Sequence, residues 1–495
     1  MAAEDYVKLV GRKESPLFVS FILRGFNQHF KQAMEIDYSV QDYRYENAWH
    51  CLSKKDATAL RGALNQRATA GVDFWRSYIA RCHQVGERLV SIGTDFSKRD
   101  WTTASAETLL EGFDQFAEAS KNMTPFLAAV VLLQSMLEQQ LKDELQKHPT
   151  IADGTVQADA ILPELQGSAA STEALEETQN CHRLARDIAA DPALTELLSR
   201  SVPEFLQSLP TRADGILSRI NHHIARYGWL RTHGYRFEPL SAQELGERIQ
   251  TLIRLRRVAD ANEISRSVVN LRSLLRCEPS REFSELVEVL GNFIPLRFYR
   301  IDVHLRAEVL ARPFMNKLAD SLGKTRDELI FCIEDEIREG LHGEPLPPQE
   351  EIGCRQDNWF TVVLEDNKLC IQSNNEPLVP GGALVIGDSV RGTTASRGRI
   401  EGEIRVILGA DEMGKVRAGS ILVTTMTTPD FMQAIERCSG IVTDEGGILC
   451  HAAIISRELA IPCVIGTGNA TNTLADKMLV DLDATGVEGT VTRTQ

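Results

Sequence analysis

The chain has 495 residues, 43% hydrophobic and 25% charged, which is ordinary globular usage and enough apolar material for several packed domains. Its 54 Lys+Arg against 69 Asp+Glu give a formal charge of −15, without the cation excess that broad nucleic-acid binding requires. Ten dispersed cysteines include no C-x-x-C pair, which argues against a zinc cluster. The charged start MAAEDYVKLVGRKESPLF has no signal-peptide core, and the longest apolar run, Phe126–Leu133, is far too short to span a bilayer. The expectation is a cytoplasmic protein with reduced thiols, no membrane partner and no nucleic-acid partner.

Residues 1–341 read as helical. Apolar residues recur at three- and four-residue spacings, as in Ile301, Leu305 and Val309. The Gly-, Ala- and Ser-rich segment 151–172 reads as a loop between helical subdomains. Two groups in this half deserve weight as acceptor or phosphate binders. Arg219, His222, His223 and Arg226 lie near Tyr227, Trp229, Tyr235 and Phe237, a set that suits an aromatic ligand or, equally, a packed helix junction. Arg297, Arg300 and His304 share one helix face, either as an anion-binding row or as a solvated face with Glu308 below it.

Residues 342–380 read as a linker with a β-hairpin. Pro345, Pro347 and Pro348 mark the linker, and Trp359–Leu364 and Lys368–Gln372 flank a short polar turn. From 381 to 495 the texture becomes α/β. Short runs at Ala383–Ile386, Glu403–Leu408, Ser420–Thr424, Gly440–Thr443, Pro462–Ile465, Met478–Asp481 and Gly489–Thr492 read as strands. Helices are read at Pro429–Cys438 and Ala452–Leu459.

The informative stretch is Gly440–Gly466. A buried strand runs into Gly446-Gly447, and the loop presents Cys450 and His451 where a helix begins. Glycines there allow positive φ and close backbone approach. A histidine at a helix N-terminus can act as a nucleophile toward phosphorus, because free N–H groups and the helix dipole favour the phosphoryl anion that results.

Gly446-Gly447-Ile448-Leu449-Cys450-His451-Ala452-Ala453, followed by Arg457-Glu458 and Ile461-Pro462, resembles the phosphohistidine, or swivelling, domain of the phosphoenolpyruvate-utilising enzymes. Gly392–Gly398 and Thr424–Asp430 are similar to flanking blocks of the same domain. The resemblance implies that His451 is transiently phosphorylated on Nε2. It implies that Arg457 and Glu458 orient the helix and that Cys450 holds a position commonly Ser or Cys; Thr443 is either placed to bond the loop or an ordinary strand-end hydroxyl. A mainly helical region followed by such a domain is similar to the acceptor-binding and histidine parts of rifampicin phosphotransferase, and to the histidine subunit of phenylphosphate synthase. That arrangement implies magnesium and ATP bound by a separate ATP-grasp chain, and a small-molecule acceptor such as an alcohol or phenol. The alternative is a phosphocarrier or regulatory protein whose helical half binds a protein.

Overall fold

A computed structural model describes residues 6–11, 14–46, 49–154, 161, 165, 172–209, 215–232, 238–255, 271–356, 360–365, 368–373, 389–408, 410–427, 431–447 and 450–494. The chain forms two compact units that do not follow chain order. The first comprises Met1–Leu165, Thr232–Phe237 and Val269–Pro380; the second comprises Gln166–Arg231, Glu238–Val268 and Gly381–Gln495.

In the first unit the long helices are Val72–Lys98, Ala106–Gln146 and Arg281–Ser321. Ser105 and Ser280 start two of them by accepting hydrogen bonds from the N–H groups of Thr108 and Phe283, which satisfies otherwise orphaned donors. Arg281–Ser321 continues through Pro295 and Pro313, although proline removes a helical donor. Burial of Phe293, Ile294, Leu296 and Phe314 outweighs that cost. Trp75, Tyr78 and Phe293 fill the core, with Trp75 edge-on to Phe293 at 5.7 Å between ring centres.

Helix Pro16–Gln28 lies against Ala106–Gln146 at Gly25, where a Cβ would stand 1.8 Å from Thr124 Oγ1 and 2.4 Å from the Lys121 carbonyl oxygen. Gly25→Ala is therefore expected to destabilise this unit by about 1–3 kcal/mol. An unchanged urea midpoint would contradict the close approach.

The first unit is not wholly helical. Strands β1 (Tyr6–Gly11), β2 (Tyr43–Glu46) and β3 (Trp49–Ser53) join the expected hairpin, β4 (Phe360–Glu365) and β5 (Lys368–Ser373), in a five-stranded sheet ordered β1-β3-β2-β4-β5. The hairpin is thus part of a sheet begun near the N-terminus. The Pro-rich segment leads into a helix, Gln349–Gln356, whose buried Arg355 binds both Glu336 and Glu351. Most of the expected 151–172 loop lies outside the described residues.

The second unit contains a helical layer and a barrel. The layer is built from Glu173–Ala189, Pro192–Arg200, Val202–Ser208, Ile216–Tyr227 and Ala242–Arg254 around Leu184, Ile188, Phe205, Ile220, Leu245 and Ile249. Among the described residues seven strands close into a barrel: β6 (Ser389–Ser396), β7 (Gly398–Val406), β8 (Ile421–Thr424), β9 (Gly440–Thr443), β10 (Cys463–Ile465), β11 (Leu479–Ala484) and β12 (Glu488–Arg493). Their order is β10-β6-β12-β11-β7-β8-β9, and β9 runs parallel to both β8 and β10. These three parallel strands are buried on both faces, which explains their continuous apolar sequence. Ile421, Val423, Val442 and Val464 belong to one core cluster, whereas Leu422, Ile441, Cys463 and Ile465 pack with the barrel's helices. The expected run Ala383–Ile386 lies outside the described residues.

All ten cysteines are free thiols. No helix among the described residues is long and apolar enough to cross a membrane.

Candidate active site

Strand β9 delivers the chain into Asp444-Glu445-Gly446-Gly447, and Cys450 starts the helix His451–Glu458. Cys450 is the N-cap: its backbone is extended, and its Sγ accepts from the Ala453 N–H at 3.4 Å. The sulfur takes the place of a serine or threonine oxygen in that role. His451 is consequently the first helical residue, as the sequence implied.

The His451 side chain is 7% exposed. Its Nδ1 lies 2.9 Å from Thr427 Oγ1, a residue supplied by the turn after β8. In the tautomer whose Nδ1–H donates to the Thr427 oxygen, Nε2 carries the lone pair needed for attack on phosphorus. Burial lowers the imidazole to about 4, so the ring is neutral and nucleophilic at neutral pH. Sequence reading had included Thr427 in a resembling block without assigning it a role. Thr427→Val is expected to slow phosphorylation roughly tenfold to hundredfold, by freeing ring orientation, and Thr427→Ser to restore most of the rate. Equal rates in both variants would remove the tether from the account.

The loop is fixed by short contacts. Thr443 Oγ1 donates to the Glu445 carbonyl at 2.7 Å, and the Cys450 N–H donates to the Gly447 carbonyl at 2.8 Å. Gly446 has φ +121°, where a side chain is strained. Buried Asp444 accepts from Thr467 Oγ1 and the Thr471 N–H, both at 3.1 Å, and from Thr471 Oγ1, which clamps the loop after β10 to the histidine loop. Burial and the neighbouring Asp444 push Glu445 up to about 7. Arg457 turns back to donate to the Ala453 carbonyl of its own helix at 2.9 Å, a contact that suits an orienting role. Thr443, Gly446, Gly447, Cys450, His451 and Arg457 thus share one loop and helix.

The candidate acceptor residues are placed differently. Arg297, Arg300 and His304 lie on the helix Arg281–Ser321 in the first unit, His304 buried and the two arginines half-buried. Arg300 donates to the Leu127 carbonyl, His304 sits edge-on to Phe18 at 5.3 Å between ring centres, and Glu308 below them is buried. His223 and Trp229 belong to the second unit. His223 is fully buried, with Nε2 2.9 Å from Glu177 and Nδ1 2.9 Å from Asn180, and Trp229 donates to the Arg226 carbonyl. These contacts hold His223 and Trp229 in a helix junction, one of the two readings their sequence context allowed. Among the described residues no group of three or more His, Cys, Asp or Glu side chains is arranged to hold a metal ion.

The buried histidines set a pH dependence. An unfolded imidazole binds its proton near 6.5, whereas burial holds His451 and His182 down to about 4 and, with Arg300 adding to it, His304 to about 3. Between these values the unfolded chain binds more protons than the folded one, so stability falls as pH falls from 6.5 toward 4. The expected loss is about 3 kcal/mol for His451 alone. Urea midpoints that stay level across this window would contradict the buried neutral rings.

Residues 416–486 match the family described as "PEP-utilising enzyme, mobile domain". The chain is 54% identical over 94 residues to a probable phosphoenolpyruvate synthase of Methanothermobacter thermautotrophicus, covering 19% of this chain and 14% of that protein. It is 53% identical over 181 residues to the phosphoenolpyruvate synthase of Pyrococcus furiosus, covering 34% of this chain and 22% of the relative. It is 26% identical over 361 residues to the uncharacterized phosphotransferase YvkC of Bacillus subtilis, covering 64% of this chain and 41% of the relative. The chain therefore spans less than half the length of these relatives. Sequence and structure agree on this segment: residues 416–486 match the mobile domain of PEP-utilising enzymes, and they span barrel strands β8 to β11 and the loop that carries His451.

Proposed function

We propose that the protein is a phosphotransferase component in which His451 carries a phosphoryl group from a nucleotide to a small-molecule hydroxyl. The observation that carries this reading is the His451 ring itself, buried, neutral and tethered through Nδ1 at a helix N-terminus behind a glycine loop. In the first step the Nε2 lone pair forms a P–N bond as the donor's P–O bond breaks. In the second the acceptor oxygen forms a P–O bond, the P–N bond breaks, and the hydroxyl proton passes to solvent. Phosphoryl transfer asks the protein chiefly for positioning and charge stabilisation, and the helix N-terminus supplies both for the phosphorylated ring.

A separate ATP-grasp chain loads His451, with ATP and magnesium bound on that partner, and the histidine domain swivels between the loading and acceptor sites. A cavity of about 490 Å³ in the first unit, lined by His29, Arg81, Arg88, Gln115, Asn122 and Phe126 among others, favours a small acceptor over a purely protein-binding carrier. Its size falls in the range of small-molecule sites, and it combines an aromatic side with cations and amides. The row Arg297, Arg300 and His304 belongs to the same unit and is the first set to test for acceptor contacts.

The test is discharge. Protein phosphorylated chemically with phosphoramidate is mixed with a panel of alcohols and phenols, and loss of the phosphoryl group is followed. Acceptor-dependent discharge with phosphate ester formed is expected. Discharge to water alone, unaffected by any hydroxyl compound, would favour the carrier reading.

A further inference from the structure

The helical layer and the barrel of the second unit each have their own apolar core. Between them lies a buried charged cluster. Arg248, on the layer helix Ala242–Arg254, places Nε 2.8 Å from both carboxylate oxygens of Glu436, and Nη2 2.5 Å from one of them. Glu436 belongs to the barrel helix Met432–Arg437. The Arg248 Nη1 reaches Glu177 at 2.5 Å, and Glu177 also meets His223 Nε2 at 2.9 Å. Arg248, Glu177, Glu436 and His223 are each no more than 5% exposed. Burial opposes the Glu177 charge, but Arg248 and His223 outweigh it and bring the carboxyl down to about 2.

A contact of this kind has a particular energetic character. Removing a guanidinium and its carboxylates from water costs roughly what their attraction returns, so a buried ion pair fixes register far more than it adds stability. If the barrel leaves, both sides regain hydration. Two separate cores joined through such a pair resemble a transient interface rather than one folded core.

We propose that Arg248, braced by Glu177 and His223, is a docking socket for the histidine-bearing barrel, that Glu436 is the group it receives, and that the barrel docks and leaves reversibly. This goes beyond the phosphotransfer reading. It rests on the swivelling part of that reading and adds the surface on which the barrel rests, and its readout does not involve turnover, so its failure and that of phosphotransfer are distinguishable. With Glu436 neutralised the socket loses its counter-charge. With Arg248 removed, Glu436 and Glu177 remain as buried carboxylates without the cation between them, which disfavours the docked state.

The chain contains its own reporter. Cys181 is fully buried beside this cluster, and Arg248, Glu436 and Glu177 all act on its thiol. Burial in the layer's apolar core, on the side that also meets Glu436 of the barrel, pushes that thiol well above its ordinary value, so it is inert while that side stays covered. Cys463 is fully buried in the barrel and serves as the internal control.

The full chain is pulsed with iodoacetamide, and each cysteine is read by peptide mass spectrometry in wild type, Glu436→Gln and Arg248→Met. Glu436→Gln changes shape little and keeps the test open if Arg248→Met folds poorly. The proposal expects Cys181 to alkylate at least about tenfold faster in Glu436→Gln, with Cys463 unchanged. An unchanged Cys181 rate in Glu436→Gln would overturn it. So would a parallel rise at Cys463, because the pair would then be bracing the barrel's fold rather than docking it.

Discussion

Replacing His451 by glutamine is expected to abolish phosphoryl transfer while leaving the fold intact. Glutamine retains an amide that can bond Thr427, and it fills much of the volume of a residue that is 7% exposed. It has no nucleophilic ring nitrogen. The other nucleophile-type side chains at the loop ends are engaged: Cys450 caps the helix through its sulfur, and Thr443 donates to the loop backbone. Turnover should fall by more than about a thousandfold, the scale on which an essential nucleophile acts. Circular dichroism and the urea midpoint should change little. Retained turnover would mean that phosphoryl transfer does not pass through this ring.

Gly446→Ala is the second large effect. The residue sits at φ +121°, which an alanine adopts only with strain, and the new Cβ would stand 2.8 Å from Cys450 Sγ and 3.0 Å from Cys450 Cβ. Cys450 is the N-cap of the histidine helix, so relief of the clash moves the cap and the first helical residue together. A displacement of about 1 Å at a reacting group is worth roughly a hundredfold in rate. Phosphorylation should slow by about that factor while His451, Thr427 and the barrel remain present. Gly447→Ala provides the contrast, because nothing lies within 4 Å of a Cβ built there. Similar losses in both variants would indicate a general loosening of the loop rather than displacement of the cap.

Strands β8 and β9 were legible because their chemistry is local, whereas β6 (Ser389–Ser396), which mixes Gly, Thr, Ser and Arg, was not read as a strand. Ser420–Thr424 and Gly440–Thr443 are continuous apolar or β-branched runs, and parallel strands buried on both faces need such runs. The Gly446-Gly447 to His451 block was legible because helix start, glycine turn and nucleophile occupy adjacent positions. What escaped was non-local. Strands β1–β3 are short and mix Tyr, Trp and His with charges, and β2 pairs with β4 more than three hundred residues away, as in Arg44 opposite Val363. Thr427 and His451 meet across 24 positions. Arg248 and Glu436 meet across 188, and each by itself reads as one more charge on an amphipathic helix. Charge on a helix face does not reveal whether it meets water or a distant partner. The row Arg297, Arg300 and His304 illustrates the same ambiguity, since its spacing also suited a solvated face whereas His304 is buried.

The most direct measurement is the intact mass of the protein at neutral to alkaline pH after incubation with magnesium-ATP, with and without a candidate ATP-grasp partner. The account predicts an acid-labile gain of one phosphoryl group that depends on the partner and is absent in His451→Gln. A gain that persists in His451→Gln would contradict it, and so would a gain that survives acid.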